Sequence, residues 1–149
     1  MKVEQSTMTF IEGFEGRRYK AYQDGADKST IGVGHLIKPD EKHLLTAILT
    51  DDQVNDLFYI DLKSFADSIN RQLKKPVTQN QFDALCSFAF NLGMGSLLGS
   101  TLWKNFSKGT PVVEGNFTAW SKIRVNGELV ESKGLLNRRK KEYLLFTTK

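Results

Sequence analysis

The sequence contains only one cysteine and two histidines, and these small numbers argue against a disulfide-stabilised domain and against a metal site. With Cys86 alone, no disulfide can form within the chain. Cys86 lies in an apolar helical pattern, so we expect a small core residue rather than a nucleophile. The histidines, His35 and His43, form no cluster with the spacing of metal ligands, so the sequence predicts no metal and no cofactor.

Long hydrophobic runs are also missing. No window approaches the roughly eighteen consecutive apolar residues of a membrane span, and the first ten residues lack the apolar run of a signal peptide. We therefore expect no anchor, no stable membrane insertion, and synthesis in a cytoplasm. With 149 residues, 40% hydrophobic and 26% charged, the chain has the size and composition of one globular domain, residues 1–149.

The net charge of +4 and the pI near 9.2 favour a polyanionic partner. Charge alone leaves nucleic acid, an anionic membrane face and an acidic wall polymer open. The basic run Arg138 to Lys141 has no interleaved aromatic residues and no recognised binding module around it. We therefore favour a solvated helix face, with arginines packed or paired with Glu142, over nucleic-acid binding; an anionic glycan groove is a third use.

The N-terminal pattern changes from helical to strand-like. Apolar spacing predicts a short helix from about Gln5 to Gly13, which places Glu15 just past a helix end. From Arg17 to Ile37, short alternating runs broken by glycines predict a small antiparallel sheet, with a tight turn at Asp24-Gly25.

Two capping boxes predict the starts of the central helices. Thr50 with Gln53 begins a helix over about 51–74, and Thr78 with Gln81 begins one over about 79–92. A turn-rich stretch over 93–99 follows. Further patterns predict helices near 100–107, 111–121 and 134–146, and a hairpin at Asn126-Gly127 between strands 122–125 and 128–131.

Glu15, Asp24 and Thr30 offer the chemistry of glycoside hydrolysis. A carboxyl group among apolar neighbours such as Phe14 and Tyr19 stays protonated more readily and can act as a general acid, whereas an acid in a wet turn stays ionised. A hydroxyl can hold the attacking water. Structural readings remain open: Glu15 capping a turn or pairing with Arg17 or Arg18, Asp24 forming an Asx turn, and Thr30 serving as a branched strand residue.

The same stretch resembles the signature of the bacteriophage-type lysozymes, glycoside hydrolase family 24, which includes the T-even phage lysozymes. That signature is a Glu in a Phe-Glu-Gly context, eight residues, an Asp, five residues, a Thr, and then Ile-Gly-X-Gly-His; Glu15, Asp24, Thr30 and His35 match it without a gap. Later segments resemble the family too, namely 49–53, 81–85, 88–93 and 134–142. The Asn126-Gly127 hairpin resembles an insertion of the longer endolysin branch.

The resemblance implies a predominantly helical α+β fold. A small N-terminal antiparallel sheet lobe (about 14–50) is joined by a long helix (51–74) to a helical lobe (about 1–13 and 75–149), with a cleft between the lobes. It also implies that His35 pairs with Asp61 as a structural ion pair. Candidate groove-lining residues, by position in the motifs, are Leu36, Phe90, Thr101 and Asn116.

The implied activity is an endolysin that hydrolyses the β-1,4 bond between N-acetylmuramic acid and N-acetylglucosamine of peptidoglycan. Glu15 is then the general acid, Asp24 acts on the opposite face of the sugar, and Thr30 helps to hold the water; the family is generally taken as inverting. We expect a monomer that needs a holin or an injection apparatus to reach the periplasm. The alternatives are a lytic transglycosylase on the same bond, an inactive wall-binding or tail-associated module, and a basic nucleic-acid binder.

Overall fold

The computed structural model describes residues 1–23 and 28–149. It confirms the predicted class, mainly helical with a small antiparallel sheet. The helices are α1 (Gln5–Glu15), α2 (Asp51–Gln72), α3 (Gln79–Leu92), α4 (Met94–Leu98), α5 (Thr101–Lys108), α6 (Glu114–Thr118) and α7 (Lys133–Thr147). The strands are β1 (Arg18–Gln23), β2 (Ser29–Gly32), β3 (His35–Leu36), β4 (Lys122–Val125) and β5 (Glu128–Glu131), and Pro39–Leu45 forms a 3₁₀ segment.

The chain divides into two compact units. The sheet unit consists of residues 3–64, and the helical unit consists of residues 1–2 and 65–149. Residues 3–13 fall in the sheet unit, whereas the predicted lobes group them with the helical residues; the single domain stays a prediction. In the ranges 1–23 and 28–149, no helix is both long enough and apolar enough to cross a membrane.

Helix α1 ends two residues later than the sequence pattern predicts. Gly16 is its C-cap, with φ of +76°, and the Gly16 N–H donates to the Glu12 carbonyl at 2.8 Å. Gly13 stays inside the helix. The prediction that Glu15 lies past the helix end is therefore wrong: Glu15 is the last helical residue, because the left-handed φ that glycine favours occurs at Gly16.

The three-stranded sheet has the order β1-β2-β3 and is antiparallel, as predicted. Thr30, in the central strand β2, pairs with Tyr22 on one side and Leu36 on the other. Ile31 beside it is fully buried, as are Val54 and Leu62 of α2. The turn predicted at Asp24-Gly25 lies outside the described residues.

Both predicted capping boxes are present. Thr50 N–H donates to Gln53 Oε1 at 2.9 Å and Gln53 N–H donates to Thr50 Oγ1 at 3.2 Å, and Thr78 with Gln81 makes the same exchange at 3.1 Å in both directions. Helix α2 ends at Gln72, two residues before the predicted end. All residues from Phe82 to Ala89 of α3 are buried, which confirms the core placement of Cys86. Burial raises the pKa of the Cys86 thiol, so the thiolate is disfavoured.

The region 93–131 is partly as predicted. Helix α4 occupies part of the stretch predicted as turns, and α6 spans only Glu114–Thr118 rather than 111–121. Pro111 precedes α6, because Val113 is its extended N-cap residue with φ of −113°. The hairpin β4–β5 has the predicted bounds; Asn126 and Gly127 both have positive φ, 52° and 84°, which the tight turn requires.

Two of the four basic residues in the run of α7, Arg138 and Arg139, are buried. Ser87 Oγ donates to Glu142 Oε2 at 2.5 Å, Arg139 Nε lies 2.7 Å from Glu142 Oε1, and Arg138 Nη2 donates to the Ser87 carbonyl at 3.1 Å. Burial raises the pKa of Glu142, opposed by the two arginines and Ser87. The interpretation that the arginines are packed and paired with Glu142 is confirmed, while Lys140 and Lys141 are exposed.

Candidate active site

Glu15 is half-buried at the C-terminal end of α1. The neighbouring guanidinium of Arg17 is bound by other groups: Nη2 and Nε lie 2.9 and 3.2 Å from the two carboxylate oxygens of Glu12, and Nη1 donates to Asp51 Oδ1 at 3.2 Å. The bonds to Glu12, partly opposed by desolvation, raise the pKa of Arg17. Glu12, rather than Glu15, is thus the bidentate partner of Arg17 on this turn.

Thr30 is buried, with 5% of its surface exposed. Its hydroxyl donates to the Lys28 carbonyl at 3.3 Å, which is longer than the usual O–H···O distance of about 2.7–2.8 Å. Because the hydrogen is directed to Lys28, the lone pairs of Oγ1 can accept a hydrogen from water. Asp24, the third predicted catalytic residue, lies outside the described residues.

His35 lies between two carboxylates. Its Nδ1 is 2.7 Å from Asp61 Oδ2, so the predicted contact is present, and its Nε2 is 3.0 Å from Glu41 Oε1. Hydrogen bonding to Asp61 raises the pKa of His35 against the opposing effect of desolvation, and Glu41 adds to the rise. For Glu41, desolvation is outweighed by hydrogen bonds from the Lys38 N–H and His35, so its pKa is lowered. The arrangement favours an imidazolium held by two anions.

The four predicted groove residues occupy different surroundings. Leu36 is 46% exposed on β3 of the sheet unit. In the helical unit, Phe90 is half-buried with its ring 5.7 Å from that of Phe65. Thr101 and Asn116 line one pocket of about 350 Å³. The structure thus brings together two of the four, at the start of α5 and in α6.

Comparison with known proteins identifies the family. The family model described as phage lysozyme matches residues 12–142. The chain belongs to the phage lysozyme family. It is 36% identical over 149 residues to an endolysin of Acyrthosiphon pisum secondary endosymbiont phage 1, covering 98% of each chain.

Solved structures agree with this membership of the phage lysozyme family. An endolysin from Escherichia coli O157:H7 phage FAHEc1 is similar with a TM-score of 0.89 and 34% identity, over 99% of this chain and 94% of that one. The muramidase domain of SpmX from Asticaccaulis excentricus is similar with a TM-score of 0.87 and 30% identity, over 99% of both chains. The predicted family and enzyme class, a lysozyme, are confirmed.

The sequence reasoning missed two residues of this phage lysozyme. The first is Glu41, which contacts His35. Its position could be read from the sequence, because Pro39 is typical of the first position of a helical turn and an acid two residues later can cap that turn. In the structure Glu41 Oε1 accepts from the Lys38 N–H at 3.0 Å. Trp120 lines the pocket that holds Thr101 and Asn116. No local pattern marks Trp120, because α5 and the residues around α6 meet only in the folded chain.

Proposed function

We propose that the chain hydrolyses the β-1,4 bond between N-acetylmuramic acid and N-acetylglucosamine in bacterial peptidoglycan, and so lyses a host cell. The observation that carries this proposal is the family match over residues 12–142, which encloses the whole Glu15 to His35 signature. The relatives that match 98% of this chain, from Acyrthosiphon pisum secondary endosymbiont phage 1 and Salmonella phage P22, are endolysins.

In this proposal Glu15 donates its proton to the glycosidic oxygen as the bond breaks. Glu15 is half-buried at the C-terminal end of α1, at the position that the signature assigns to the general acid. Asp24 acts on the opposite face of the sugar as base or electrostatic partner.

Thr30 holds the attacking water. Its backbone is fixed in the central strand, and its hydroxyl hydrogen is directed to Lys28. The oxygen therefore offers lone pairs at a fixed place, and a water that donates one hydrogen to Thr30 keeps its own lone pair for attack on the anomeric carbon. The contacts of His35 with Asp61 and Glu41 stabilise β3, the strand that pairs with Thr30.

The decisive experiment digests purified peptidoglycan and identifies the new sugar ends. The wild type is expected to release reducing muramic acid ends, and Glu15→Gln is expected to release none, while Glu128→Gln on the exposed hairpin strand β5 serves as the matched control. Thr30→Val and Asp24→Asn are expected to lower the rate at unchanged fold. Anhydro ends would assign a lytic transglycosylase, and wall binding without cleavage by the wild type would assign an inactive wall-binding module.

We propose also that the chain acts as a monomer, is made in the host cytoplasm, and reaches the periplasm through a holin or an injection apparatus. Sedimentation of the purified chain tests whether it is a monomer. Expression in a host cell with and without a holin, followed by culture turbidity, tests the need for a delivery route, and lysis without a holin would refute that need.

A further inference from the structure

The chain passes from α1 to β1 directly after Glu15, through Gly16. Gly16 has a φ of +76°, and a Cβ added there would meet no described atom within 4 Å other than those of its chain neighbours. Because glycine adopts many backbone conformations and nothing packs against this one, Gly16 gives the connection little rigidity of its own. The placement of Glu15 therefore relies on contacts that span Gly16.

Arg17 makes such contacts back to α1. Its Nη2 and Nε lie 2.9 and 3.2 Å from the two carboxylate oxygens of Glu12, and the Gly16 N–H donates to the Glu12 carbonyl at 2.8 Å. Paired N–H···O bonds between a guanidinium and a carboxylate fix orientation as well as distance. These bonds close a small ring of chain, residues 12–17, that contains Glu15, so a rotation about Gly16 would break them.

The same guanidinium attaches this ring to α2. Its Nη1 donates to Asp51 Oδ1 at 3.2 Å, and its Nη2 donates to Asn55 Oδ1 at 2.5 Å. The Tyr19 hydroxyl adds a bond from β1 to the same Asp51 oxygen at 2.6 Å. Helix α2 is anchored in the core of the sheet unit by the fully buried Val54. The end of α1 and the start of β1 are thus held against one anchored helix.

The contacts of Arg17 differ in their exposure to solvent. Arg17 and Glu12 are half-buried, whereas Asp51 is exposed. Water and salt therefore screen the pair with Glu12 less than the pair with Asp51. Hydrogen bonding to Glu12 is also the largest cause of the raised pKa of Arg17. The Glu12 pair is accordingly the main restraint on residues 12–17.

We propose that Arg17 is a positioning residue for Glu15, acting through the backbone of residues 12–17 and touching no reacting atom. A general acid must come within hydrogen-bond reach of the oxygen that it protonates. A displacement of about 1 Å can cost about 100-fold in rate. The inference rests on the proposed function, because it takes Glu15 as the general acid.

The test measures kcat and KM of the full chain on soluble, uncross-linked peptidoglycan chains, at a temperature where circular dichroism shows every variant to be folded. Arg17→Met is expected to lower kcat about tenfold and to leave KM within about twofold, because it displaces the acid without removing a substrate contact. Lys20→Met, the same change at an exposed position of β1, is the matched control and is expected to change neither constant.

A second control separates positioning from a general loss of stability. Thr78→Ala removes the cap of α3 in the helical unit, where the Thr78 hydroxyl accepts from the Gln81 N–H at 3.1 Å. This variant is expected to lower the urea midpoint of unfolding, as Arg17→Met does, but to keep the wild-type kcat.

Glu12→Ala tests the pair itself. It is expected to lower kcat about tenfold alone, and the double variant with Arg17→Met is expected to lose no more than about tenfold, whereas independent effects would multiply to about 100-fold. Arg17→Lys keeps the charge without the planar fork, so its kcat is expected to stay about threefold below that of the wild type. Arg17→Lys decides the question if Arg17→Met does not fold.

A wild-type kcat in Arg17→Met or Arg17→Lys, an equal loss of kcat in Thr78→Ala, or multiplied losses in the double variant would overturn the inference. These outcomes are distinguishable from failure of the proposed function. If the wild type cleaves, Glu15→Gln does not and Arg17→Met keeps the full rate, the positioning role alone is overturned. A wild type that never cleaves overturns the hydrolase and the positioning role together.

Discussion

Asp61→Asn is expected to destabilise the chain strongly at mildly acidic pH and weakly at alkaline pH, because the charge of His35 sets the strength of the contacts around it. Both ring nitrogens of His35 face carboxylate oxygens, at 2.7 Å from Asp61 and 3.0 Å from Glu41. Only the imidazolium can donate to both. The neutral ring has one N–H, so deprotonation removes one hydrogen bond and turns a lone pair toward the remaining carboxylate.

The sign of the pH dependence follows from the two pKa shifts. The pKa of His35 is raised from 6.5, so its stabilisation is fully present below pH 6.5 and is lost as pH rises through the folded-state pKa. The pKa of Glu41 is lowered from 4.5, so its stabilisation is present above pH 4.5 and is lost as pH falls through its folded-state pKa. Both contributions are complete between these two values.

The magnitude depends on exposure. The His35 side chain is 4% exposed, whereas the side chains of Asp61 and Glu41 are 22% and 23% exposed. The contribution of these ion pairs to stability should therefore lie between that of an exposed pair and that of a buried pair. Exposed pairs contribute about 0.2–1 kcal/mol, and breaking a buried pair costs about 3–5 kcal/mol. We therefore expect Asp61→Asn to lower the free energy of unfolding by about 2 kcal/mol near pH 5.5, or about 4–8 °C in Tm.

Urea unfolding of wild type and Asp61→Asn at about pH 5.5 and about pH 9.5 measures this difference. Asp56→Asn, an exposed aspartate on the same helix, is the matched control and is expected to cost little at either pH. A titration of the His35 ring C–H signals measures the pKa shift directly. An equal cost of Asp61→Asn at both pH values, or a His35 pKa at or below 6.5, would refute the reasoning.

Three further predictions concern stability. Arg17→Met removes the bonds to Glu12 and Asp51 and is expected to cost about 1 kcal/mol, less in 1 M salt, because Arg17 is 21% exposed and the pairs are screened. Glu142→Gln is expected to cost about 3–5 kcal/mol, since it removes a buried anion that contacts both buried arginines; urea unfolding measures the cost of both variants. Gly115→Ala is expected to add about 0.4–1 kcal/mol, because a Cβ there meets no atom within 4 Å and alanine favours the helix; a thermal melt measures it.

The controls for these predictions use the same chemical change elsewhere. Lys20→Met on β1 and Glu128→Gln on β5 alter exposed residues and are expected to cost little. Gly16→Ala is expected to destabilise, in contrast to Gly115→Ala, since Gly16 has a φ of +76°. The argument for Arg17 would be contradicted by a loss of stability that salt does not reduce. The argument for Glu142 would be contradicted by a loss under about 1 kcal/mol, and that for Gly115 by a lower Tm of Gly115→Ala.

Local signals account for the parts of the fold that the sequence predicted well. The capping boxes at Thr50 and Thr78, and the hairpin turn at Asn126-Gly127, act over three or four residues, so the residues that fix the backbone are neighbours in the sequence. The end of α1 was misplaced because Gly13 and Gly16 look alike in sequence, and only the folded chain decides which one takes a positive φ.

Tertiary contacts account for what the sequence did not reveal in the candidate site. The signature indicated Glu15, Thr30 and His35 but not Glu41, the second carboxylate at His35; the local cap at Lys38-Pro39 predicts a turn that includes Glu41 but not its contact with His35. The contact of Asn105 Nδ2 with Asn116 Oδ1, at 3.3 Å, joins α5 to α6. Such a hydrogen bond follows from packing between elements, and no pattern along the chain predicts it.

The first two residues of α3 form hydrogen bonds with residues near both ends of the described chain. Gln79 Nε2 donates to the Lys2 carbonyl at 3.0 Å, and its neighbour Asn80 donates through Nδ2 to the Thr148 carbonyl at 3.1 Å. Residues 2 and 148 therefore lie close enough for a short linker, which is the condition for circular permutation. A chain joined there and opened between Asn126 and Gly127, at an exposed turn, would interrupt no helix of the helical unit, and we expect it to build the same architecture from a different order of segments.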